Sequence, residues 1–216
     1  MLARTISISA GYHLELFDFA RHAALAEEAR ELARSANLMN PLVSASLDLL
    51  FNYVRRQEVG LAEKIVREVS GTVEKAAGSH GWLWRLRLAQ ARAELALARG
   101  DIEGTLQLVE QAIAQSQERG RVKYQAYGLE TQAKALARLG RKNAAISIAK
   151  RALELIRPIG APALFLHAVS TLIYLEGNDA LLAEARTTAQ RILAALPDSK
   201  MRSAFEKADP VQLVMR

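Results

Sequence analysis

The chain has 216 residues, half of them apolar, which is enough to bury a core in one domain or two small ones. Alanine (39) and leucine (32) supply about a third of it and aromatics only 6%, a balance that favours an all-helical fold and excludes disorder. No cysteine is present, which rules out a disulfide framework, a zinc ribbon and a cysteine nucleophile, while the net charge of +6 is the one number that hints at a partner.

In chain order, residues 1–18 carry Arg4 and Glu15 among polar interruptions, so they read as the start of a helix rather than a secretory signal. A first helix pair is expected at about 2–36. The second, at about 41–77, opens on Asn40-Pro41, a capping residue before a proline. The third, at about 81–118, opens on Trp82 and Trp84, which are two apart and cannot share one helical face. Leu83, Leu86, Ala89, Ala93 and Leu97 make its apolar stripe, and Gly100-Asp101 then ends one helix and caps the next. The fourth pair, at about 121–157, repeats the pattern with Ala126, Leu129, Ala133, Leu136 and Leu139 before Gly140. Pro158 and Pro162 mark the break before a fifth pair at about 161–196, and a short terminal helix is expected over 198–207. No stretch holds the roughly 18 apolar residues a membrane span needs. A single domain, 1–216, in a cytoplasmic setting is expected.

The elements repeat. Gly60, Gly100 and Gly140 are 40 residues apart, and apolar positions after them keep register: Val66, Leu106 and Ile146; Val69, Val109 and Ala149; Val73, Ile113 and Leu153. One more shift reaches Ala189, Ile192 and Leu193, with Arg186 interrupting the pattern. Ala93, Gly100, Thr105 and Ala112, and again Ala133, Gly140, Ala145 and Ala152, place small residues where adjacent helices must approach closely. On these residues the chain resembles a tetratricopeptide-repeat (TPR) array, with Phe17 standing where the first repeat usually has glycine. Its 40-residue period is similar to the long-helix arrays of bacterial signalling ATPases and maltose-regulator-like transcription factors. The resemblance implies an all-α, right-handed α-solenoid of about five antiparallel helix pairs plus a short C-terminal helix. It also implies a repeat domain, excised or standing alone, that binds a protein or peptide segment in its concave groove as a scaffold or regulator.

Signatures of chemistry are absent. His13, His22, His80 and His167 are scattered and form no metal-ligand pattern, and neither a glycine-rich phosphate loop nor a nucleophile elbow occurs. The reading is therefore non-enzymatic, with no cofactor and no metal. The charge is local: residues 119–157 hold ten Lys or Arg against Glu130 and Glu154. First helices line the groove in the resembled family, which points to Tyr127, Glu130, Lys134 and Arg138 in the fourth repeat. Arg87, Gln90 and Glu94 flank them on one side and His167, Thr171 and Tyr174 on the other. Lys134 and Arg138 would pair with acidic groups and Tyr127 and Tyr174 would give apolar area. Two alternatives stay open: nucleic-acid binding through the basic repeat, and a homodimer through an end repeat that exposes Leu14, Leu16, Phe17 and Phe19.

Overall fold

The computed structural model describes residues 2–216, Ser79 by its backbone only. Its helices follow one another with short turns: α1 (Leu2–Glu15), α2 (Phe19–Ser35), α3 (Met39–Arg55), α4 (Val59–Lys75), α5 (Gly78–Ala98) and α6 (Ile102–Glu118). They continue as α7 (Val122–Arg138), α8 (Lys142–Ile156), α9 (Pro162–Glu176), α10 (Asp179–Ala195), α11 (Ser199–Glu206) and α12 (Asp209–Met215). No strand occurs among the described residues. Contacts divide the chain into two compact units, Met1–Gly104 and Thr105–Arg216, with the boundary in the first turn of α6. Within each unit sequence-adjacent helices pack together, α1 on α2 through to α4 on α5 in the first and α7 on α8 through to α11 on α12 in the second, an all-α, solenoid-like arrangement.

In the first unit α3 is central, packed against α1, α2, α4 and α5. It is buried around most of its circumference, as are the later turns of α5. In the second unit α7 packs on α8 and α9, and α9 on α8, α10 and α12. Small residues sit where the expectation placed them: Ala93, Thr105, Ala133 and Ala145 are fully buried, and Ala112 and Ala152 are 1% exposed; Ala26 and Ala29 of α2 are fully buried too. They let neighbouring backbones close up while Leu86, Leu129 and Ile156 fill the spaces between. Trp84 is buried and Trp82 half-buried, as a spacing of two requires.

The punctuation is finer than the glycine spacing implies. A left-handed residue closes a helix at Phe17, Asn37 and Gln57, then at Gly100, Gly120, Gly140 and Gly160, steps of 20 residues on either side of the longer α5. Gly60 is not one of them; it lies inside the first turn of α4, and Gln57 takes the place that Gly100 and Gly140 hold. The extra turn of α5, with 21 residues against 17 in α4, supplies the difference. Buried Ala62, Val69 and Val73 of α4 accordingly match Thr105, Ala112 and Ser116 of α6 at an offset of 43 residues. Gln57 is exposed and holds φ 61°, where a side chain costs about 1 kcal/mol relative to glycine. Gln57→Gly is expected to raise the urea midpoint by stabilising the fold about 0.5–1 kcal/mol; an unchanged or lower midpoint would refute the strain.

Two further points differ from the sequence reading. The N-terminal edge is not built from Leu14 and Phe17, which are 5% and 6% exposed. The left-handed turn at Phe17 folds its ring back against Phe19, centroids 6.5 Å apart, and leaves Leu16 and Phe19 half-buried. The exposed apolar residues there are Leu2, Ile8 and Tyr12. Beyond the expected terminal helix, found as α11, the chain folds once more into α12, whose Val211 and Val214 are fully buried. Arg186 interrupts the apolar register for a reason: its Nε donates to the Val214 carbonyl at 3.2 Å, answering an open acceptor at the end of α12.

Candidate functional site

The groups singled out from the sequence fall into two clusters, one in each unit. In the first unit Arg87, Gln90 and Glu94 lie along α5 against α3. Arg87 is paired with Asp48, the Arg55 Nε reaches Glu94 at 3.5 Å, and the Gln90 amide donates to Glu94 at 3.0 Å. Gln90 is fully buried and Arg87 and Glu94 half-buried, so this cluster ties α5 to α3.

In the second unit α7 and α9 bring the remaining residues together. Glu130 is the hub. Its carboxylate accepts from His167 Nδ1 at 2.5 Å and the Thr171 hydroxyl at 2.9 Å, and it pairs with Lys134 Nζ at 2.7 Å. Burial pushes the Glu130 carboxyl up, but the neighbouring His167 and Lys134 outweigh it and hold the group well below the usual carboxylate range. Tyr127 packs edge-on to His167 with ring centroids 5.5 Å apart, and Lys123 Nζ lies 5.8 Å from the centre of its ring. Tyr127, Glu130 and Thr171 are buried, so their part is to fix the neighbours; the exposed ends are those of Lys134, Arg138 and Tyr174, the last 80% exposed.

Those three ends line a cleft of about 560 Å³ between α7, α9 and α12. Ala137, Leu175, Pro210 and Leu213 give it an apolar floor, Ser170 and Thr171 polar edges, and Asp209 an acidic corner opposite the cations. Pro210 and Leu213 belong to α12, which lies beyond the terminal helix expected over 198–207. Its signal was present: Asp209-Pro210 supplies an acidic first turn and a proline at the helix start, followed by Val211 and Val214 at helical spacing.

All ten basic residues of 119–157 are exposed. Lys150 pairs with Glu176 at 3.0 Å and Arg157 with Glu184 at 2.5 Å, so part of the excess charge is spent on neighbouring helices. Among the described residues no group of three or more His, Asp or Glu gathers as a metal site, and no helix is long and apolar enough to cross a membrane.

No protein-family model and no curated protein matches the chain. Among solved structures it resembles BtubC (BKLC) from P. vanneervenii, with a TM-score of 0.54 over all of this chain and 87% of that one, at 18% identity. The likeness is one of fold.

Proposed function

We propose that the chain is a non-catalytic module of TPR type that binds a protein or peptide segment, and that the cleft between α7, α9 and α12 receives it. The observation that carries this reading is the pairing of exposed Tyr174 with Lys134 and Arg138 above an apolar floor. An aromatic anchor beside cations suits an extended segment with an acidic and an apolar side chain. The network behind it spares the ligand an ordering cost: Glu130 fixes Lys134 and His167 before anything binds. A bacterial signalling or transcription-regulating setting, in the cytoplasm, is the context the repeat length suggests.

Selection of a random peptide library on the immobilised protein tests it. Selected peptides are expected to be acidic, and Lys134→Glu with Arg138→Glu should weaken them at least tenfold, roughly 1.4 kcal/mol or more. Peptides that bind the double variant as well as the parent would sink the assignment. A single-stranded oligonucleotide that competes in a steeply salt-dependent way would favour the nucleic-acid reading instead.

A further inference from the structure

The first unit holds a second cleft, on the side of α3 where α2 and α4 approach. An outer part of about 740 Å³ lies between the start of α3, the later turns of α4 and the start of α5. A deeper part of about 270 Å³ lies between α2, α3 and α4. The two share Met39, Glu68 and Thr72 and so form one continuous depression.

Its chemistry is uneven. The deep part is floored by Leu42, Val43 and Val69 and is smaller than a drug-sized site, with room for one bulky side chain. Glu68 lines both parts, and its charge is already answered by Arg30 Nη2 at 2.6 Å. Arg34 on the α2 wall and Lys75 on the α5 side make no ion pair among the described residues. At Gly71 an added Cβ would meet nothing within 4 Å, so the missing side chain keeps the outer part open. The far wall is Trp84 with the His80 ring stacked on it at 5.8 Å.

We infer that this cleft binds an acidic peptide segment of a partner protein, a bulky apolar residue entering the deep part and flanking carboxylates meeting Arg34 and Lys75. Arg34 on α2 lines the apolar deep part and Lys75, the last residue of α4, lines the outer part, so the cleft offers a cation in each and calls for anionic groups flanking an apolar one. A peptide supplies that arrangement, whereas a fatty acid carries its single charge at one end. The site lies in the other unit from the cleft at Lys134 and Arg138 and does not depend on it.

The test is titration of the whole chain with acetyl-Glu-Asp-Leu-Asp-Glu-amide, followed by tryptophan fluorescence, since Trp84 forms one wall, and by calorimetry. Saturable binding is expected. It should fall at least tenfold in Arg34→Glu with Lys75→Glu, and when serine replaces the peptide's leucine. Gly71→Leu should abolish it while raising the melting temperature, because leucine in mid-helix is favoured over glycine and its Cβ meets nothing within 4 Å. Arg141→Glu with Lys142→Glu, the same change of charge on exposed residues that line neither cleft, should bind this peptide as the parent does. No binding at about 1 mM peptide, affinity unchanged by the charge reversals or by Gly71→Leu, or decanoate binding as tightly as the peptide would each overturn the inference.

Discussion

Replacing Glu130 by alanine is expected to destabilise the second unit by about 3 kcal/mol, the largest loss from any single polar side chain in that unit. Glu130 is 4% exposed and is the common acceptor for His167, Thr171 and Lys134. Its removal leaves the Thr171 hydroxyl, 7% exposed at residue level, and a half-buried imidazole without their acceptor, and neither can turn out to water freely. Lys134 is different: its side chain is 44% exposed and can be rehydrated, so Lys134→Ala should cost only about 0.5 kcal/mol. Glu130→Gln separates shape from charge. The amide oxygen still accepts from Thr171, but the ion pairs are gone, and about 1–2 kcal/mol should be lost. The folded carboxyl titrates below its ordinary value of 4.5, so its contribution is complete above that pH and fades as the pH falls through the folded value. Urea melts at pH 7 and at pH 4 should therefore both place the parent above the Gln variant, the gap closing only as the pH falls well below 4.5. Equal stability of all three proteins at pH 7 would show the network to be dispensable.

Most of the fold is written in local pattern, and what escaped it is tertiary. Helix pairs could be read because alanine and leucine recur at helical spacing and because Gly100 and Gly140 mark the ends of α5 and α7. The ends of α1, α2 and α3 carry no such mark. Phe17, Asn37 and Gln57 take the same left-handed conformation, and nothing in a residue's own preference announces a glutamine or phenylalanine there. Gly60 then drew the register three residues late. The close-packed alanines were legible for the same reason the helices were: a small residue at a fixed place means a near neighbour. In the site, the helical faces of α7 and α9 placed Tyr127, Glu130, Lys134, His167 and Thr171 together, and the folded chain joins them. Periodicity does not say which of them is covered. Glu130 reads as a groove residue until the depth at which α9 crosses it is known, and that depth depends on side chains 37 and 41 positions away. The cleft at Met39 and Gly71 left no trace at all, because it is made of turns from four helices, each unremarkable alone.

Acidification from pH 7 to pH 5 should remove about 2 kcal/mol of stability through His22 alone. The ring is fully buried between α2 and α3. Burial is the main reason its pKa falls from 6.5 to about 4; the positive charges of Arg55, His13 and Arg87 push the same way, against a smaller opposing pull from Asp18. Asn52 holds the neutral form, its amide donating to His22 Nδ1 at 2.8 Å and to the Phe19 carbonyl at 2.8 Å. The ring proton then sits on Nε2, which has no partner among the described residues. A lowered histidine value fixes the sign. Between about pH 6.5 and pH 4 the unfolded chain takes up a proton that the folded chain refuses, so stability is complete above that window and falls through it. Below pH 4 both states are protonated and the loss levels off near 3 kcal/mol. His22→Gln keeps an acceptor for Asn52 but cannot titrate, so its stability should change less than the parent's over the same range. Parallel pH profiles for parent and variant would mean that acid sensitivity in the first unit arises elsewhere.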